Sequence, residues 1–183
     1  ARGRAEVPPK PGIHPQPDAF IHAMPALLPS LSVAGIKWVA GFPENYKRGL
    51  PYITGLTVLN DPDTGLPLCV MDATWITAMR TGAATAVAAR HLAAEGSRVV
   101  AILGCGVQGR SNLEALLAVV QEVEEVKAYD TNEGNLARYA REMKAKHGAT
   151  VIPCSSAREA VENSDIVVTA GPIRRNPRSM IEA

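Results

Sequence analysis

Apolar positions in the second half of the chain come in short runs separated by amphipathic stretches. Val99-Val-Ala-Ile-Leu103 is continuously apolar, the pattern of a strand buried on both faces. A helix is predicted from about Val107 to Val120, then a strand at Glu125–Tyr129 and a helix from Asn135 to Lys146 with Gly148 after it. Thr150–Pro153 reads as a short third strand. Ser156-Ala-Arg-Glu159 fits a capping box that opens a short helix, and Asp165–Thr169 reads as a fourth strand. Strands alternating with helices in this way imply a parallel sheet with right-handed crossovers.

The first half carries a different pattern. Ala34–Ala40 reads as a strand with one charge, Lys37, in its middle. Tyr52–Asn60 and Leu66–Met71 read as two strands joined by Asp61-Pro-Asp-Thr-Gly65, a strong turn signal, so a hairpin is expected. From about Thr74, the positions Ile76, Met79, Ala83 and Val87 recur at helical spacing, and the helix is expected to end near Gly96. Eleven of the 14 prolines lie at or before Pro67, and none lies between 68 and 152. Proline is excluded from helix interiors and central strands, so the front should consist of loops, turns and edge strands, with Val7–Pro15 extended. The domain boundary is placed after residue 94, giving segments 1–94 and 95–183.

Composition narrows the function classes. The 183 residues are 46% hydrophobic but only 4% aromatic, so the core must be built from Ala, Val, Leu and Ile. The 19 basic and 18 acidic residues give a net charge of +1, without the basic surplus of a nucleic-acid binder. No apolar run approaches the roughly 18 residues that span a bilayer, and no signal pattern opens the chain, so no membrane partner is expected. Cys69, Cys105 and Cys154 are too few and scattered for a disulfide framework, which points to a reducing, cytoplasmic compartment. The four histidines, at 14, 22, 91 and 147, have no metal-ligand spacing. The chain opens on Ala1 rather than Met, so further residues are expected upstream.

Gly104-Cys-Gly106-Val-Gln-Gly109 follows the apolar strand directly and opens a helix. In that context Gly104 permits a tight turn, Gly106 lets the backbone approach a pyrophosphate, and Gly109 lets the helix pack against the strand. The helix N-terminus offers free N–H groups and a partial positive charge. Asp130 ends the next strand, where a dinucleotide-binding fold places an acid on the adenosine ribose. It would repel a 2′-phosphate, so NAD is expected over NADP. The competing reading for Asp130 is a helix cap or a solvated turn acid. Cys105 is either a thiol activated by the helix terminus or a small residue filling the loop.

Three cations in the front half are candidates. Lys37 either snorkels to an edge or faces a polar site, because a buried unpaired ammonium is costly. Arg80 stands among small residues that leave room for a carboxylate or phosphate; otherwise it is a surface ion-pair partner. Lys10 is held rigidly between prolines or is simply an exposed loop lysine. The Arg174, Arg175 and Arg178 cluster reads as a solvated loop.

Gly35-Ile-Lys-Trp-Val, Phe42-Pro-Glu-Asn45, Gly65-Leu-Pro-Leu, Met71-Asp, Ile76-Thr-Ala-Met-Arg-Thr81 and the glycine loop together resemble the ornithine cyclodeaminase/μ-crystallin family across nearly the whole chain. The resemblance implies a Rossmann-type parallel sheet, incomplete at its C-terminal side here, preceded by a mixed α/β domain for substrate binding and dimerisation. It implies a homodimer, an amino- or imino-acid substrate, and NAD as a redox catalyst. In ornithine cyclodeaminase, hydride leaves the substrate α-carbon, the imine cyclises with loss of ammonia, and the hydride returns to give proline. Relatives include alanine dehydrogenases, ketimine reductases and non-catalytic μ-crystallin-like binding proteins. By resemblance Lys37 contacts substrate and is the catalytic candidate. Arg80 lies near the cofactor and the reacting end of the substrate. Lys10 replaces an arginine that grips the carboxylate, offering a point charge in place of a fork. Gly104, Gly106, Val107, Gln108, Gly109 and Asp130 match the cofactor loop and ribose acid, and Thr169 a residue beside the cofactor. The family's proton-transfer aspartate would come after residue 183.

Overall fold

The computed structural model describes residues 5–172 and 179–181. The arginine cluster at 174, 175 and 178 lies outside the described residues. Two compact units divide the described chain, residues 5–77 and residues 78–172 with 179–181.

The first unit is a five-stranded antiparallel sheet in sequential order. Its strands are β1 (Gly12–Ile13), β2 (Phe20–Leu28), β3 (Val33–Gly41), β4 (Ile53–Asn60) and β5 (Pro67–Asp72). The hairpin expected between β4 and β5 is present. The Asp61 carboxylate accepts from the N–H groups of Asp63 and Thr64 at 2.8 and 3.0 Å, and Gly65 closes the turn at φ +74°.

Strand β2 corrects the reading of a front half made of loops and edge strands. It pairs with β3 along its entire length, with Pro25 in its middle opposite Ile36. The Ala23 and Leu27 N–H groups donate outward, to the carbonyls of Pro11 and Glu6. Alternate backbone nitrogens of a strand face the same way, so the Pro25 nitrogen also faces this outer side, between those two bonds. The ladder to β3 therefore loses no donor, and proline is tolerated.

The second unit holds a four-stranded parallel sheet: β6 (Val99–Leu103), β7 (Glu125–Tyr129), β8 (Val151–Pro153) and β9 (Ile166–Thr169), in the order β8-β7-β6-β9. Helices α2 (Val107–Leu117), α3 (Glu133–His147) and α4 (Ala157–Val161) connect these strands. Ile102, Leu113, Leu116, Val126 and Tyr139 form the centre of its core. Asn132 caps α3 by accepting from the Asn135 N–H at 3.0 Å, and Gly148 ends the helix at φ +69°. Ser156 caps α4 as its sequence predicts, accepting from the Glu159 N–H at 3.1 Å, while the Glu159 carboxylate reaches back one residue further, to the Ser155 N–H.

Helix α1 (Thr74–Leu92) stops four residues before Gly96, and its first turn belongs to the first unit. The Ala73 N–H donates to the Gly55 carbonyl at 3.0 Å, fixing where the helix starts beside β4. Asp72 receives the Thr74 N–H at 2.8 Å. In the second unit, Gly82 of α1 lies where a β-carbon would come within 2.3 Å of the Ser111 carbonyl oxygen, so α1 and α2 pack backbone to backbone. Among the described residues no helix is long and apolar enough to cross a membrane.

Candidate functional site

In the second unit the chain leaves β6, pairs with β7 and β8 on one side, and returns to β9 on the other. The carboxyl ends of β6 and β9 therefore border a topological switch point, where open α/β sheets bind ligands. Leu103 and Thr169 are register partners there, which puts the glycine loop beside the exposed Thr169.

The three glycines of the loop have different reasons to be glycine. Gly104 has φ +106°, and a β-carbon on it would lie 2.8 Å from the backbone of Ala170. Gly109 could carry no side chain because its β-carbon would lie 2.2 Å from the Gly104 carbonyl oxygen. Gly106 is under neither constraint. Its φ is −81°, open to any residue, and a β-carbon there would meet no protein atom within 4 Å. The protein leaves that space clear at the N-terminus of α2, where Val107, Gln108 and Gly109 occupy the first turn and the helix's early N–H groups have no intrahelical acceptors. A phosphate fits this cradle, and a side chain on residue 106 would enter it.

Asp130 sits beside the same loop. One carboxylate oxygen accepts from the Cys105 N–H at 2.7 Å and the other from the Asn132 N–H at 2.8 Å. The cap of α3 is Asn132, so Asp130 is not a helix cap. Each carboxylate oxygen keeps lone-pair capacity for a ribose hydroxyl. The Cys105 side chain is buried. Burial first, and then the Asp130 charge, push its thiol up to about 12, against the pull of Arg110. The helix terminus does not activate it, and it fills the loop as a neutral thiol.

The first unit presents a second constellation. Lys37 points to the face of the sheet that carries its register partners Met24 and Thr57, with His22 two residues along β2. It is half-buried, and its ammonium donates to the Thr77 hydroxyl at 3.3 Å, on the first turn of α1. The Thr57 hydroxyl is buried with no hydrogen-bond partner among the described residues. Lys37 therefore has a hydroxyl partner beside its face of the sheet. Lys10 lies on the extended segment beside His22. Gly12 lets that segment approach, since a β-carbon there would lie 2.1 Å from the imidazole. His22 stacks on Phe20 with ring centres 4.5 Å apart, and His14 meets it edge-on at 6.0 Å. Burial, then the Lys10 charge, then His14 hold the His22 pKa below its ordinary value. Lys10 thus places one positive charge beside the His14 and His22 imidazoles, and that charge helps to keep His22 neutral. Arg80 is exposed on α1 and forms no ion pair among the described residues.

His22, His14 and Thr57 were not singled out in the sequence, where an isolated histidine or threonine carries no signal. Among the described residues no cluster of His, Cys, Asp or Glu could hold a metal ion.

A family model described as the ornithine cyclodeaminase/mu-crystallin family matches residues 1–182. The chain belongs to this family. A nodulation efficiency protein of Rhizobium meliloti is 46% identical over 92% of the chain and 52% of its own length. A Δ1-pyrroline-2-carboxylate reductase of Thermococcus litoralis, solved with NADH and L-proline, superposes with a TM-score of 0.88 at 42% identity, covering 92% of this chain and 52% of that one. An archaeal alanine dehydrogenase dimer with bound NAD superposes with a TM-score of 0.82 at 40% identity, covering 92% and 50%. The chain spans about half the length of the relatives it matches.

The imidazole cluster is directly testable. Replacing Lys10 by Gln removes a neighbouring positive charge, so the pKa of His22 rises toward 6.5 in an NMR titration. In the wild type, between the lowered pKa and 6.5, the unfolded chain binds a proton that the folded chain does not. His22 therefore costs stability as pH falls through this window. An unchanged His22 pKa in Lys10→Gln would separate the two residues.

Proposed function

We propose that the protein transfers hydride between NAD and the α-carbon of a small L-amino acid or its imine, in the manner of an ornithine cyclodeaminase. The clear space at Gly106 carries the reading, because the protein's own packing does not account for a glycine there. Asp130 supports NAD over NADP, since its carboxylate would repel a 2′-phosphate. Gly104, Gly106, Val107, Gln108, Gly109, Asp130 and Thr169 would hold the dinucleotide.

Bound NAD would supply the hydride acceptor and donor. Lys37, held by Thr77, would orient the substrate and hold a proton at its Nζ. Lys10, with His22 beside it, would hold the carboxylate. Arg80, whose side chain has no competing ion pair among the described residues, would serve the reacting end. With L-ornithine the balanced outcome is L-proline and ammonia, with no net change in NAD.

A second reading is net reduction of a cyclic imino acid or net dehydrogenation of an amino acid. The 42% and 40% identity to solved enzymes named for those reactions favours it. We further propose a homodimer. Trp38 and Leu56 are register partners on the sheet face opposite Lys37, and both are 51% exposed. Ile36, Val58 and Val70 continue this apolar face, and a second copy would cover it.

The protein incubated with NAD and L-ornithine should release ammonia without accumulating NADH. Ammonia with matching NADH would establish the dehydrogenase reading instead, NADH consumed with a cyclic imino acid would establish the reductase reading, and none of these changes with any of these amino or imino acids would overturn both. Lys37→Ala should abolish turnover while leaving NADH binding intact. Asp130→Arg should lose NADH affinity and gain NADPH affinity, and an unchanged preference would remove Asp130 from the ribose site. Sedimentation should give twice the chain mass, and a monomer would contradict the dimer.

A further inference from the structure

Arg110, one residue past the last glycine of the loop, was not singled out in the sequence. Its guanidinium reaches back under the loop. Nη1 donates to the carbonyl of Cys105, and also to that of Gly106 at 3.0 Å. Nε donates to the Glu142 carboxylate of α3 at 2.6 Å. The guanidinium also lies over the Tyr139 ring, 5.5 Å from its centre, and the Tyr139 hydroxyl donates to the Gly109 carbonyl at 3.3 Å. Its side chain is only 25% exposed, which makes these contacts stronger than those of a surface ion pair.

We infer that Arg110 is a positioning residue that sets the two peptide planes of the loop so that their N–H groups form the cradle for the dinucleotide's pyrophosphate. A peptide unit is planar and trans, so its carbonyl and its N–H point in opposite directions. Drawing the Cys105 carbonyl toward Arg110 turns the Gly106 N–H the other way. Drawing the Gly106 carbonyl does the same for the Val107 N–H. Both N–H groups lie at the start of α2, where they have no intrahelical acceptor. The Gly106 carbonyl also accepts the Arg110 backbone N–H at 3.2 Å, so the guanidinium matters most at the Cys105 carbonyl, the loop's other anchors acting at the Gly104 and Cys105 N–H groups. Glu142 offsets the charge and fixes the guanidinium's orientation, so Arg110 acts through the backbone and not as a direct phosphate ligand.

This inference rests on the reading of the loop as a dinucleotide site, and two measurements keep the two apart. The first uses no cofactor. In Arg110→Gln, NMR residual dipolar couplings of the Gly106 and Val107 N–H vectors should change, while those of the body of α2 and of the β6–β7 ladder keep wild-type values. Wild-type couplings at 106 and 107 would overturn the inference whatever the protein binds. The second is NADH affinity by fluorescence titration, alongside melting temperature. Arg110→Gln should bind NADH about 10- to 100-fold more weakly, the scale of losing two charge-assisted hydrogen bonds. Arg110→Lys keeps the charge but cannot span both carbonyls and Glu142, so it should recover only part of that loss. Full recovery by Lys, or wild-type affinity in Arg110→Gln, would contradict the positioning role. Wild-type protein that binds no NADH would instead overturn the dinucleotide reading.

Discussion

The Gly104 carbonyl oxygen lies 2.2 Å from where a β-carbon on residue 109 would sit. The turn from β6 into α2 closes at this separation only on glycine. Much else in the second unit follows from that contact. It brings the first turn of α2 over the carboxyl end of β6. There the Cys105 N–H reaches Asp130 and the Gly104 N–H reaches Tyr129, tying the loop to β7 at 2.7 and 2.8 Å. The Ala170 N–H donates to the Leu103 carbonyl at 2.7 Å, tying β9 in on the other side. The helix terminus, the acid and the switch point of the sheet are thereby fixed around one open space at Gly106.

How much of this was legible in the sequence depended on whether a residue's reason was local. The glycine loop was legible because an apolar strand, three spaced glycines and a helix start follow one another within a few residues. Lys37 was legible as a lone charge in an apolar strand, and the antiparallel register then showed which face it takes. Strand β2 was not legible, because Pro25 reads as a strand breaker unless the hydrogen-bonding side of its nitrogen is known. Arg110 was not legible either, since its partner Glu142 lies 32 residues away and ordinary sequence spacing does not pair them. The Lys10, His14 and His22 cluster arises only when the extended segment folds back across β2 at Gly12.

The two units place different chemistry on different scaffolds. The parallel sheet offers backbone donors, a helix terminus and one carboxylate, all suited to a dinucleotide. The antiparallel sheet offers an ammonium, two imidazoles and a buried hydroxyl, which under the proposed function would meet the amino- or imino-acid substrate.

The most direct test of this account is a single substitution, Gly106→Ala, read by NADH titration and thermal melting together. The backbone there is ordinary and a methyl meets no protein atom within 4 Å. Ala is less favourable than Gly at an N-cap by up to about 1 kcal/mol, so the melting temperature should fall by no more than about 4 °C. NADH affinity should nevertheless fall by at least about tenfold, because the methyl enters the phosphate cradle. Unchanged NADH affinity at unchanged stability would contradict the claim that this space is kept for a dinucleotide.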